Sequence, residues 1–247
     1  MNILASYRQQ MADQKRAILI YWLIIFILFV VIDGGISFFY NGSENSTTGS
    51  IEMVTLIFLF VAGLCSFKEN FLLSVQNGIS RKTLFCGRLL TTVSVALIMP
   101  VADLLIHLIN RGILFLSGST VTDLPLYGAA YCGTEAARLI YLIPNFFMEF
   151  VLSLAVMAAG YFITILFYRL NKLGKILVGA GVPVLLNIIL PLLDIRFFHM
   201  AMTKTAARLM LFVAQRPSHL IITSILVCVV FCAASFLFMR RAVVKRQ

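Results

Sequence analysis

A chain of 247 residues that is 61% hydrophobic and only 12% charged carries more apolar surface than a soluble fold can bury. The mean hydropathy of +0.98 points to a bilayer, with room for one membrane domain over 1–247 and little for a soluble one. A net charge of +10 on a soluble protein would suggest nucleic acid; here the basic residues cluster at the ends of apolar runs, where they act as topology signals and no nucleic-acid partner is expected.

Residues 1–16 place Ile3, Leu4, Tyr7 and Met11 on one helical face, the pattern of a helix lying in the membrane interface. The first long apolar run follows Lys15 and Arg16. Asp33-Gly34-Gly35 resembles a signal-peptide cleavage site, but the apolar stretch from Ala17 to Ile32 is longer than a usual signal core. An uncleaved span is therefore expected. A helical span needs about 20 apolar residues. Six segments meet or approach that length: Ala17–Tyr40, Ile51–Phe67, Leu89–Ile109, Leu139–Tyr168, Ile176–Leu193 and Leu220–Met239. The fourth is long enough to require tilt, a kink near Pro144 or an interfacial start.

The charges orient the spans. With the N-terminus inside, the inner segments hold Arg8, Lys15, Arg16, Lys68, Arg81, Lys82, Arg88, Arg169, Lys172, Lys175, Arg240, Arg241, Lys245 and Arg246. The outer segments hold only Arg111, Arg138, Arg196, Lys204, Arg208 and Arg216. The expectation is an all-α, polytopic protein with six transmembrane helices and both termini inside. Between spans five and six, residues 195–216 set Arg196, His199, Thr203, Lys204 and Arg208 opposite Phe198, Met202, Ala206, Leu209 and Val213. This is an outer amphipathic helix, either interfacial or re-entrant.

Ionisable residues inside spans are costly and mark function or structural pairing. Asp103, His107 and Arg111 recur every four residues on span three; Asn145 and Glu149 do so on span four. The two faces are expected to meet as an intramembrane polar network that ties the spans together, with pairing to Arg111 or Arg138. Direct substrate or proton handling is the other use of such a network. Ala155 with Ala159, and Gly179 with Gly181, offer sites for close helix approach.

The five cysteines (65, 86, 132, 228, 232) have no metal or redox spacing, and the three histidines (107, 199, 219) are scattered, so no metal site is expected. No Gly-x-x-x-x-Gly-Lys-Ser/Thr loop, His-Glu-x-x-His or Gly-x-Ser-x-Gly occurs. The chain is read as a non-enzyme that binds no nucleotide itself. Asn41-Gly-Ser and Asn45-Ser-Thr are glycosylation sequons in the first outer loop, of consequence only in a glycosylating host.

The inner segment 68–88 is too long for a simple connector. Glu69 to Val75 reads as a short amphipathic helix, Asn77-Gly78 as a helix stop, and Ser80 as the N-cap of the next helix. Glu69, Leu72-Leu73-Ser74, Ser80-Arg81 and Gly87-Arg88-Leu89-Leu90 occur in an order that resembles the loop between spans two and three of ATP-binding-cassette (ABC) export permeases. The stretch Gln76–Lys82 is similar to small permeases of Firmicutes. The motif covers residues 68–88, and the likeness in topology covers the whole chain.

The resemblance implies a coupling segment that docks on a separate ABC ATPase subunit. Its residues would be Glu69, Asn70, Leu73, Gln76, Asn77, Gly78, Ser80, Arg81, Lys82 and Phe85. It implies ATP and Mg on that partner, a second permease copy or a related chain, and residence in the bacterial cytoplasmic membrane. The cargo would be a peptide antibiotic, a drug or a lipid-like molecule. The alternative is a small secondary transporter or membrane enzyme using Asp103, His107 and Glu149. No repeat relates residues 1–110 to 139–247, which argues against it.

Overall fold

In a computed structural model, residues 3–39, 47–48, 51–117, 122–123, 125–132, 139–185, 188, 190–197 and 200–240 are described. Among them the chain is helical, apart from a two-residue parallel pairing of Thr47–Thr48 (β1) with Thr122–Asp123 (β2). The helices are α1 (Ile3–Phe39), α2 (Ile51–Cys65), α3 (Lys68–Gln76), α4 (Arg81–Ser117), α5 (Leu126–Tyr131), α6 (Leu142–Arg169), α7 (Lys172–Ile176), α8 (Val182–Val184), α9 (Leu190–Phe197), α10 (Ala201–Gln215) and α11 (Pro217–Arg240). A 3-10 turn (Leu139–Tyr141) leads into α6, and a π-helical stretch (Leu177–Gly181) joins α7 to α8.

Among the described residues, four stretches are long and apolar enough to cross a membrane: Ile51–Gln76, Arg81–Gly112, Leu142–Arg169 and Pro217–Arg240. Their faces are inverted relative to a soluble protein. On α2 the buried stripe is Glu52, Thr55, Leu59 and Gly63, while Met53, Val54, Ile57 and Val61 are exposed. On α4, Thr91, Thr92, Asp103, His107 and Asn110 point inward and Leu97, Ile98, Leu105 and Ile109 outward. Polar and small residues inside with bulky aliphatics outside suit a bundle whose solvent is hydrocarbon.

Without a hydrophobic force between helices in lipid, close packing does the work. Gly63 of α2 and Gly160 of α6 meet backbone to backbone. A Cβ on Gly160 would lie 2.5 Å from the Phe60 carbonyl oxygen, and one on Gly63 would lie 2.7 Å from that of Met157. Thr164 Oγ1 then donates across to the Leu64 carbonyl at 2.6 Å. The expected small-residue sites behave differently: at Gly179 and Gly181 the nearest atoms to an added Cβ are side-chain carbons at 3.6 and 3.8 Å, ordinary contacts.

The first helix is unbroken from Ile3 to Phe39, so residues 3–16 of the expected interfacial segment and most of the first expected span share one helix; Met1, Asn2 and Tyr40 lie outside the described residues. Its early buried face is Ser6, Gln10, Met11 and Gln14, and Ile3 and Leu4 stay exposed. Packing on α4 explains this choice. Gly87 offers room only for a small group at Ser6, and Gln10 Nε2 donates to the Leu84 carbonyl at 3.3 Å. Higher up, Met11, Ile18 and Tyr21 join Leu59, Val95, Met99 and Met157 in one apolar cluster.

Pro144 does not kink α6. It lies in the first turn, where an amide N–H has no helical partner in any case. Over the segment expected as span five, Ile176–Leu193, the described residues stay helical, but the hydrogen bonds shift between α and π spacing. The described parts are α7, the π-helical stretch, α8 and α9, with Gly179, Gly181 and Pro183 where the spacing shifts and most side chains exposed.

Beyond it, Met200 takes a left-handed conformation (φ 64°) and α10 starts. Asp194 caps that start: Oδ1 accepts the Met202 N–H at 2.9 Å, and Oδ2 accepts the Thr203 N–H at 2.6 Å and hydroxyl at 2.5 Å. Desolvation raises its pKa, but the Thr203 side-chain and backbone bonds, the Met202 bond and the Lys204 charge outweigh it, leaving the carboxyl below its ordinary range. The far end of α10 packs on α11, where the Phe212 and His219 rings stack at 4.2 Å.

Two outcomes follow. Gly160→Ala pushes backbone against backbone and is expected to lower stability by about 1–3 kcal/mol in thermal melts in detergent, whereas Gly181→Ala changes little. Because the Asp194 pKa is depressed on folding, its cap is complete above the ordinary Asp value of about 3.9 and is lost as pH falls through the lower folded value. Protection of the Met202 and Thr203 amides against hydrogen exchange, relative to the intrinsic rate at each pH, should therefore hold at neutral pH and fall as the carboxylate is protonated below its ordinary range, and Asp194→Ala should remove it at every pH.

Candidate functional site

Two groups of polar residues stand out, at opposite ends of the bundle. The first is buried and spans α1, α2, α4, α5 and α6. Glu52, in the first turn of α2, is fully buried. Its Oε1 accepts three hydrogen bonds: from His107 Nε2 at 2.8 Å, Asn145 Nδ2 at 2.9 Å and the Leu126 N–H at 3.1 Å. Asn145 Oδ1 in turn accepts the Tyr127 N–H at 2.8 Å.

The logic is local. Leu126 and Tyr127 open α5 behind Pro125, which has no side chain to cap them, so Glu52 and Asn145 satisfy their orphan N–H groups. Glu52 and Asn145 lie in the first turns of α2 and α6, so positive helix ends surround the carboxylate. Since the carboxylate accepts, His107 presents Nε2 as N–H.

One helical turn deeper lies a second layer. Tyr21 hydroxyl and Thr55 Oγ1 are 2.8 Å apart, and Thr55 Oγ1 donates to Asp103 Oδ1 at 3.2 Å, so Tyr21 is the donor to Thr55. Asp103 and Glu149 meet in this layer as a buried pair of acids. Two neighbouring carboxyl groups out of water cannot both ionise without large cost, so a proton shared by the pair leaves it at most one negative charge. The layers match in register. Glu52 and Thr55, His107 and Asp103, and Asn145 and Glu149 are three or four residues apart on their helices. One oxygen of each acid (Glu52 Oε2, Asp103 Oδ2 and Glu149 Oε1) accepts no hydrogen bond among the described residues.

Four of the five residues expected to form this network are thus in contact within it: Asp103, His107, Asn145 and Glu149. Arg111 sits one turn beyond His107, half-buried at the rim; Arg138 lies outside the described residues. Glu52, the acceptor that joins the first layer, was not anticipated. Its signal was available: an acid opening an apolar helix whose buried stripe continues at Thr55, Leu59 and Gly63. No group of three or more metal-ligating side chains occurs among the described residues.

The second group is the turn between α3 and α4. Helix α3 ends in a Schellman motif: the Ile79 N–H reaches the Ser74 carbonyl at 2.8 Å, and the Gly78 N–H reaches that of Val75 at 3.1 Å. This geometry requires the left-handed backbone of Gly78 (φ 67°). Ser80 Oγ accepts the Thr83 N–H at 3.1 Å and caps α4. Beneath the turn, Phe67, Phe71, Leu84, Tyr161, Ile165 and Met239 pack together, tying it to α4, α6 and α11.

Of the ten residues expected at this surface, Glu69, Leu73, Gln76, Asn77, Gly78, Ser80, Arg81 and Lys82 are exposed. Two turn inward. Asn70 is buried and donates to the Ser66 carbonyl at 3.0 Å, and Phe85 is half-buried against Phe236. Arg81 reaches across to the α11 terminus, donating to the Arg240 carbonyl at 2.5 Å. Nearby, Arg88 is buried with its guanidinium 5.0 Å from the Tyr161 ring centroid.

No protein-family model matches the chain, and neither the curated proteins nor the solved structures contain a significant match to it.

Breaking a buried hydrogen-bonded charge by removing one partner costs about 3–5 kcal/mol. Glu52→Ala strips the acceptor from His107, Asn145 and Leu126 at once and is expected to cost that much, against less than about 0.5 kcal/mol for the exposed Glu69→Ala. Removing His107 in the same chain should add far less than its own single cost. Additive losses in thermal melts would show that the two residues act separately.

Proposed function

We propose that this chain is the membrane-spanning permease subunit of an ABC exporter. The observation that carries the reading is the rigid, exposed turn between α3 and α4. It sits at one end of the spans, presents Glu69, Leu73, Gln76, Asn77, Gly78, Ser80, Arg81 and Lys82 outward, and rests on an aromatic cluster shared with the helices around it. Such a turn suits transmission of force: displacing it moves α2, α4, α6 and α11 together. A sequence without a phosphate-binding loop leaves nucleotide chemistry to a partner.

In this reading the chain has six spans, with Ala17–Tyr40 and Ile176–Leu193 added to the four apolar stretches above, and both termini face the bacterial cytoplasm. Two permease chains form the path. Separate ATPase subunits, holding ATP and Mg, dock at Glu69–Phe85 and drive a peptide, drug or lipid-like cargo outward. The Glu52 and Asp103–Glu149 layers, at the opposite end, hold the helices as a unit while the turn is pushed.

A second reading is favoured by one observation: three acids and a histidine lie buried together at membrane depth. In it the chain is a small secondary transporter, and the Asp103–Glu149 proton exchanges during transport.

Co-purification separates the two. The wild-type chain is expected to bring down a P-loop ATPase, and Glu69→Ala with Arg81→Ala to reduce that capture at least about tenfold, a loss of about 1.4 kcal/mol, at unchanged melting temperature. Undiminished capture by the double variant removes the docking assignment. Nucleotide-free uptake by the purified chain, driven by a proton gradient and abolished in Glu149→Gln, establishes the second reading in its place.

A further inference from the structure

Arg169 and Arg240 end the parallel helices α6 and α11, whose flanks meet where Phe162 packs on Phe231 and Phe238. The two arginines, with Leu237 and Phe238, line a half-open cavity of about 570 Å³. The Arg169 guanidinium lies 5.0 Å from the Phe238 ring centroid, which holds it against one wall. Arg81, bonded to the Arg240 carbonyl, brings a third positive charge close to that terminus. Arg241, Lys245 and Arg246 follow directly in sequence.

The rest of the lining is apolar. Leu237 is 63% exposed, and Ile222, Leu226 and Val230 continue an exposed stripe along α11 at spacings of about one or two turns. Both helices are long and apolar enough to span, so their last residues fall at headgroup depth. The site therefore presents charge at the depth of lipid phosphates and hydrocarbon at the depth of acyl chains.

We infer that this cavity holds an anionic phospholipid, its phosphate between Arg169 and Arg240 and an acyl chain along Leu237 and the α11 stripe. Helix carboxyl ends carry about half a negative charge each and alone would repel an anion; the two guanidinium groups overcome this. A free anion would leave the apolar wall unused, whereas a phospholipid meets both halves. The inference stands apart from the transport reading, since any spanning protein with this groove would bind the same lipid.

Native mass spectrometry on the purified chain tests it, with phosphatidylglycerol and phosphatidylcholine offered at equal amounts. The wild type is expected to retain phosphatidylglycerol about tenfold better. Arg169→Gln with Arg240→Gln should weaken that retention about thirtyfold without changing phosphatidylcholine. Arg241→Gln with Lys245→Gln and Arg246→Gln should retain it within about twofold, which separates the groove from a diffuse basic tail. Millimolar inorganic phosphate should not displace the lipid.

If the double variant fails to melt cooperatively in phosphatidylcholine, Arg240→Gln alone, at the exposed end of α11, is expected to lose about fivefold. Full retention by the arginine variants, loss in the tail variant alone, or displacement by phosphate overturns the proposal.

Discussion

A carboxylate inside an apolar bundle has lost its water and depends on hydrogen-bond donors placed in advance. Glu52 imposes that constraint on this chain. Its single oxygen Oε1 takes one bond from α4, one from α6 and one from the start of α5. Three elements are thereby fixed in rotation and height relative to α2. Sliding any of them by one residue would turn its donor away from the acid. Apolar packing tolerates such slips far better, because one leucine face resembles another.

The rest of the bundle follows from that registration. With α2 and α6 aligned at the Glu52–Asn145 contact, Gly63 meets Gly160 about three to four turns further along, and the Thr164 bond to the Leu64 carbonyl closes the same pair of helices beyond it. The interface is polar at one end, bare backbone in the middle and aromatic at the other, where Phe67 and Phe71 of the α2–α3 segment pack beside Tyr161 and Tyr168 of α6. The turn at Gly78 is seated on that aromatic end. The rigid polar layers and the exposed turn are thus joined through one helix pair.

Much of this was legible in residue order. Run lengths located the apolar helices, because bilayer thickness imposes a length that composition cannot hide. Four-residue spacing put Asp103 with His107, and Asn145 with Glu149, on shared faces. Asn77-Gly78 and Ser80 announced a stop and a start because each residue type answers a specific backbone need. What escaped depended on partners distant in the chain. Glu52 stood at the border of an apolar run, where an acid ordinarily reaches water, and nothing local revealed that α4 and α6 would enclose it. Asn70 looked like part of an exposed surface, yet the helix phase turns it inward to the Ser66 carbonyl. Gly179, Gly181 and Pro183 lie where the helical hydrogen bonds shift between π and α spacing, a change of register that hydropathy does not report.

The separation of the network partners bears on how the chain is built into a membrane. His107 lies 55 residues after Glu52, and Asn145 lies 93 after it. As the ribosome delivers α2, neither donor has been made. During that interval the acid has no protein to answer it, and the bilayer core is closed to it at reasonable cost. The N-terminal turn of α2 must wait at the membrane surface, or beside the insertion machinery, until α4 and then α6 arrive. Completion of this network is therefore paced by synthesis of α6, and a nascent chain halted before Asn145 holds Glu52 with at most two of its three donors.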